Sequence, residues 1–212
     1  MYNYKSIQSY VEDEIDIRKS RFLTFLFPIE DEEDFHEQLA QIKKDHPKAT
    51  HHCTAYVLNE DSTIQKNDDD GEPGGTAGIP MLEVLLQNEL TYVAAVVVRY
   101  FGGIKLGSGG LIRAYSRSVA EALEKSQIIQ NITQEMINLI MDYSQVDTFN
   151  YWLSQTDLPV TLLDTLYTDK VTFQLAIPIE DVEMVREALI ERFSGQLTWG
   201  LMGERTVDIP YP

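Results

Sequence analysis

QEMINLIMDYSQVDTFNYWLSQTDLPVTLLDTLYTDKVTFQLAIPIEDVEMVREALIERFSGQLTWGLMGERTV (residues 134–207) reads as strand (134–143), helix (144–155), strand (159–167), a turn at Thr168-Asp169, strand (170–179), helix (180–194) and strand (196–207). That order, βαββαβ, is the split βαβ of the ferredoxin-like fold. A two-residue reversal between the middle strands suits a hairpin, and Gly195 sits where the second helix must stop.

Outward from this segment, the character of the chain changes within QNITQ (130–134), so two domains are expected, 1–132 and 133–212. Upstream, roughly alternating residues 4–17 and the apolar run RFLTFLFPI (21–29) predict strands. Phe35, Leu39 and Ile42 recur at helical spacing, with acids ahead of them, Lys43 and Lys44 behind, and Pro47 as a stop. THHCTAYVLNE (50–60) predicts a strand, and DSTIQKNDDDGEPGGTAG (61–78) a long loop. A short helix around Leu82, Leu85 and Leu86, a buried strand TYVAAVVVRYF (91–101) and a helix with Leu111, Ala114, Tyr115, Ser118 and Ala122 on one face complete the first domain. The fold class is α+β.

Several function classes are unfavourable on composition alone. The longest apolar run, TYVAAVVV (91–98), is far short of the roughly 20 residues that span a bilayer, and MYNYKSIQSYVEDEID at the start holds no apolar export signal, so a cytoplasmic protein with no membrane partner is expected. Cys53 is the single cysteine, which excludes an intramolecular disulfide and a four-cysteine zinc site. With 34 Asp+Glu against 17 Lys+Arg the 212-residue chain carries a net charge of -17, the wrong sign for coating nucleic acid with its whole surface.

The charge is not spread evenly. Residues 1–132 carry net -8 and residues 133–212 net -9, yet from Leu90 to Ala120 there is no acid at all, while Arg99, Lys105, Arg113 and Arg117 are present. Inside that window lies VVVRYFGGIKLGSGGLIRAY (96–115), with Gly102, Gly103, Gly107, Gly109 and Gly110, five of the twelve glycines. A glycine-rich turn from a strand into a helix offers backbone N–H groups and the positive end of a helix dipole. Arg113 and Arg117 lie one helical turn apart and project together. With Tyr100 and Ser108 beside them, these residues form the candidate phosphate or nucleic-acid site. The spacing matches neither a P-loop nor a dinucleotide fingerprint.

Asp68, Asp69, Asp70 and Glu72 are hard oxygen donors, but their spacing is not that of an EF-hand, and no metal site is assigned to them. The loop has a mechanical reading instead. Gly74, Gly75 and Gly78 let it fold against the basic turn, with Asp70 or Glu72 pairing with Arg99 or Arg113. His51-His52-Cys53 in a strand cannot turn all three side chains to one metal, and a buried cysteine with a hydrogen-bonded histidine is favoured over a nucleophile. No catalytic residue and no cofactor is assigned.

KSRF (19–22), ATHHCTAY (49–56), DDGEPGGTAGIPML (69–82) and VVVRYFGGIKLGSGGLIRAY (96–115) together resemble the Impact family, specifically its bacterial YigZ/YvyE-like branch. The resemblance implies a first domain of the ribosomal protein S5 domain 2-like fold. It also implies that the second domain is similar to a late domain of elongation factor G. Eukaryotic members regulate translation initiation under amino-acid stress through a protein partner. For bacterial members the implied role is RNA or ribosome binding. Asp69, Asp70, Gly71, Glu72, Pro73 and Thr76 form the family's motif loop. Two alternatives stand beside a non-enzymatic translation regulator. One is a small-molecule phosphate or nucleotide-binding enzyme using LGSGG (106–110), with Mg²⁺ from Asp69 or Asp70. The other is a protein-interaction module whose acidic second domain displays Phe173, Leu175, Trp199 or Met202 on an open sheet face.

Overall fold

Eight residues of the acid-free window, Val93–Tyr100, form the middle strand (β6) of the first sheet, buried on both faces along almost its whole length. The computed structural model describes residues 3–212, with two sheets and five α-helices among them. β6 is flanked by β3 (Ser20–Pro28) and β4 (His51–Leu58), and these by β2 (Val11–Ile17) and β5 (Ile64–Asp68), in the antiparallel order β2-β3-β6-β4-β5. One face, with Phe25, Tyr56 and Val96, is covered by α1 (Glu32–Asp45) through Phe35 and Ile42. The other, with Phe22, Cys53 and Val97, is covered by α2 (Gly78–Gln87) and α3 (Ser108–Glu124) through Met81, Leu85, Leu111, Tyr115 and Val119. A strand covered on both faces has no polar side to show, which is why β6 reads as a continuous apolar run.

Local signals act as anticipated in α1. The Asp31 carboxylate accepts the Asp34 N–H at 2.9 Å as an N-cap, a contact worth about 1 kcal/mol, and acids and lysines occupy the first and last turns. The expected long loop 61–78 is partly a strand. β5 (IQKND) pairs with β4, and as a polar edge strand it lacks the apolar alternation that would have marked it. Residues 4–17 likewise form two strands, β1 (Tyr4–Ile7) and β2.

The chain divides into two compact units, one of residues 3–130 with 209–212 and the other of 131–208. In the second, β7 (Ile128–Met141), α4 (Val146–Gln155), β8 (Thr161–Tyr167), β9 (Val171–Pro178), α5 (Val182–Arg192) and β10 (Thr198–Pro210) follow one another in the expected βαββαβ sequence. The strands lie in the order β10-β7-β9-β8. QNITQ lies within the continuous strand β7. The hairpin between β8 and β9 has three residues, Thr168 to Lys170, because Tyr167 pairs with Val171. Gly195, at φ 71°, follows the end of α5, and its N–H donates to the Ile190 carbonyl.

The expected display of Phe173 and Leu175 on an open face is overturned. Register sets Leu175 opposite Ile137 and Phe173 opposite Leu139, all on the face that α4 and α5 bury with Phe149, Val185 and Leu189. Trp199 packs partly against the same core, and only Met202 of the four is exposed.

Candidate nucleic-acid interface

Two structures meet around the end of β6, a clamped acidic loop and a cationic turn. The loop is held by a buried polar network. Glu72, 8% exposed, points into the protein, where its Oε1 accepts from Arg99 Nη1 at 2.5 Å and from the Tyr115 hydroxyl at 2.7 Å. The second carboxylate oxygen lies 3.7 Å from His51 Nε2, whose Nδ1 donates to the Asp70 carbonyl at 2.8 Å. Arg99, opposite both Phe22 and His51 in the sheet, reaches Ser20 Oγ at 3.4 Å and stacks over the Phe22 ring. The pairing of Glu72 with Arg99 is the loop-to-turn contact anticipated from the sequence. It also withdraws Arg99 from the cationic surface, since its charge is neutralised inside the protein.

The remaining motif residues serve the same clamp. Asp69 accepts N–H bonds from Gly75, Ala77 and Gly78 at 2.7, 3.0 and 2.8 Å. Burial pushes this carboxyl up, but the donors from Gly75, Gly78 and Ala77 outweigh it and hold it below its ordinary value. Asp70 accepts the His52 N–H at 2.6 Å, Gly71 turns at φ 86°, and the Pro73 carbonyl accepts from both the backbone and the hydroxyl of Thr76. Asp69 thus has both carboxylate oxygens engaged by backbone donors, and Asp70 has one. Among the described residues no group of three His, Cys, Asp or Glu is placed to hold a metal.

Asp69→Asn is expected to destabilise the protein by about 2 kcal/mol, because an amide turns a donor toward an N–H that needs an acceptor. Its depressed folded-state pKa means the carboxylate's contribution is complete above the unfolded value near 4 and fades as pH falls through the folded value. Urea melts of wild type and variant should therefore differ at neutral pH and converge in acid.

Cys53 is buried, its thiol 3.1 Å from the Asp69 carbonyl and 3.3 Å from the Tyr115 hydroxyl. Burial, reinforced by the charges of Glu72, Asp70 and Asp69 against the Tyr115 hydrogen bond, pushes the thiol up to about 12. A thiol that stays protonated at neutral pH is a packing group.

The cationic turn starts where β6 ends. Gly102 crosses the β2–β3 hairpin so closely that a Cβ would lie 1.9 Å from the Lys19 carbonyl oxygen, and its N–H donates to Ser20 Oγ at 3.2 Å. Gly102→Ala must push the two turns apart, and a loss of about 2 kcal/mol in urea denaturation is expected. Gly103 and Gly107 turn at φ 84° and 74°. Gly107 is the N-cap of α3 and supplies no side chain, and the Leu111 N–H is the first to find an intrahelical acceptor, at Gly107. The N–H groups of Ser108, Gly109 and Gly110 are left for solvent or an anion.

Register brings in two cations that sequence reasoning did not place at the site. Ile17 pairs with Ser20, so Arg18 and Lys19 form a two-residue hairpin, at φ 46° and 68°. Such turns favour Asn-Gly, and each non-glycine residue in this region costs roughly 1–2 kcal/mol. KSRF held the signal, but only the strand pairing shows the strained turn beside the glycines. Arg18, Arg113 and Arg117 line a groove of about 320 Å³ over Ile17, Leu106, Gly110 and Ala114. Arg117 is paired with Glu121 at 2.6 Å on the exposed helix surface, an easily exchanged contact. Among the described residues, Arg18, Lys19, Lys105 and Arg113 are in no ion pair. The Tyr100 hydroxyl is bonded to His46 Nδ1 at 3.0 Å, leaving Phe101, 46% exposed, as the aromatic face beside the turn.

The Impact N-terminal domain model matches residues 18–123, and a domain of unknown function, DUF1949, matches residues 139–196. IMPACT family member YvyE of Bacillus subtilis is 39% identical over 196 residues, 92% of this chain and 89% of its own. IMPACT family member YigZ of Escherichia coli is 35% identical over 184 residues, 86% of this chain and 89% of its own. A crystal structure of a protein described only as hypothetical covers 95% of this chain and 98% of its own, with 32% identity and a TM-score of 0.60. The chain therefore belongs to the Impact family, alongside its bacterial members YvyE and YigZ.

Proposed function

We propose that this protein is a non-enzymatic regulator linked to translation, acting in the cytoplasm by binding RNA or a ribosomal component. The contact surface is the Arg18-Lys19 hairpin, the glycine turn 102–110 and the first three turns of α3, through Arg117. The observation that carries this reading is a groove rimmed by three arginines, with unpaired Lys19 and Lys105 among the exposed residues of the two turns, in a chain of net charge -17. Phosphates there would meet cations, free N–H groups and a helix dipole together, while Phe101 supports base stacking. Family membership supports the translational part, and the S5 domain 2-like and ferredoxin-like assignments of the two domains belong to the same reading.

A negative surface elsewhere confines any polyanion to this face. Titration of a labelled single-stranded RNA at low and moderate salt tests the proposal. Binding that weakens steeply with salt is expected, whereas binding indifferent to salt, or none at low salt, would sink it.

A further inference from the structure

We infer that β8 is a docking edge for a basic, extended segment of another protein, which joins the second sheet as an additional strand. β8 ends the strand order, and among the described residues no strand pairs with its outer side. Four of its seven residues are large, apolar and exposed: Leu162 at 40%, Leu163 at 37%, Leu166 at 44% and Tyr167 at 62%. Register sets Leu162 opposite Leu175 and Leu166 opposite Thr172, so apolar side chains stand out on both faces of the edge. Edge strands normally carry lysine, proline or inward charges that keep other strands away. β8 has only a bulge between Leu162 and Asp164 and the single charge of Asp164 at its centre.

Charge identifies the occupant. No lysine or arginine occurs from residue 126 to residue 169, while Glu135, Asp147, Asp157, Asp164 and Asp169 fall there along with Asp142, which alone is paired with Lys170 of the β8–β9 hairpin. A second copy of this chain is a poor partner, because antiparallel self-pairing centred on the strand would set two Asp164 carboxylates against each other. A segment with lysine or arginine opposite Asp164 and apolar residues beside the leucines satisfies both the backbone and the charge. This surface is independent of the arginine groove.

The test uses the full chain and three labelled peptides read by fluorescence anisotropy. One alternates lysine with valine, the second alternates glutamate with valine, and the third is the lysine peptide N-methylated at every other amide. The lysine peptide should bind at least about tenfold more tightly than either of the others, and Asp164→Lys, at an exposed position, should reverse the order of the first two. Equal binding of the methylated peptide would mean attraction without strand addition and would overturn the inference. So would failure of the lysine peptide to bind, or an order unchanged in Asp164→Lys.

Discussion

Glu72→Gln is expected to destabilise the protein by about 3–5 kcal/mol, the usual consequence of leaving one partner of a buried ion pair alone. The side chains of Glu72 and Arg99 are 3% and 5% exposed, so water cannot replace the lost carboxylate. The glutamine oxygen can still accept one hydrogen bond, but Arg99 then carries an uncompensated charge among Phe22, Ser20 and Tyr115. The effect should spread beyond the loop. Ser20 Oγ bonds both Arg99 and the Gly102 N–H, so the network that clamps the motif loop also fixes the glycine turn. Urea denaturation measures the loss. Adding Arg99→Met to Glu72→Gln should recover a substantial part of it by removing the orphaned charge, and a double variant no better than the single one would show that the ion pair is not the cause.

The double variant Arg113→Glu/Arg117→Glu should bind single-stranded RNA about 100-fold more weakly at low salt, through two lost phosphate contacts and two new repulsions. Both residues are exposed on α3, and neither belongs to the core or to the clamp, so the fold should be retained. Reversing Arg117 also sets it against Glu121, which weakens the helix surface only slightly. Equilibrium binding at fixed salt gives the ratio. An unchanged affinity would move the contact surface away from α3.

Period and punctuation made much of the fold legible. The apolar run of β6, the five glycines after it and the amphipathic α3 read directly from the chain, as did the βαββαβ order, because each rests on local spacing. Features that depend on a partner strand were hidden. β5 escaped because a polar edge strand has no periodic signature, and Phe173 and Leu175 were set on the wrong face because one residue of register decides a strand's side. At the site, the acid-free window located Lys105, Arg113 and Arg117 on the surface, but composition could not distinguish them from Arg99, whose neutralising partner lies 27 residues away in sequence. Arg18 became visible only when pairing of Ile17 with Ser20 placed it at a hairpin tip over the same groove.

The proposed RNA contact is one small cationic face in an otherwise acidic protein. Salt dependence tests it most directly. For wild type, a plot of log binding constant against log salt concentration should fall with a slope of about -2 to -3, corresponding to three or four phosphates on a single strand. Arg18→Glu/Arg113→Glu/Arg117→Glu should flatten it almost completely. A slope near zero in wild type, or the same slope in the triple variant, would rule out phosphate contact at this face.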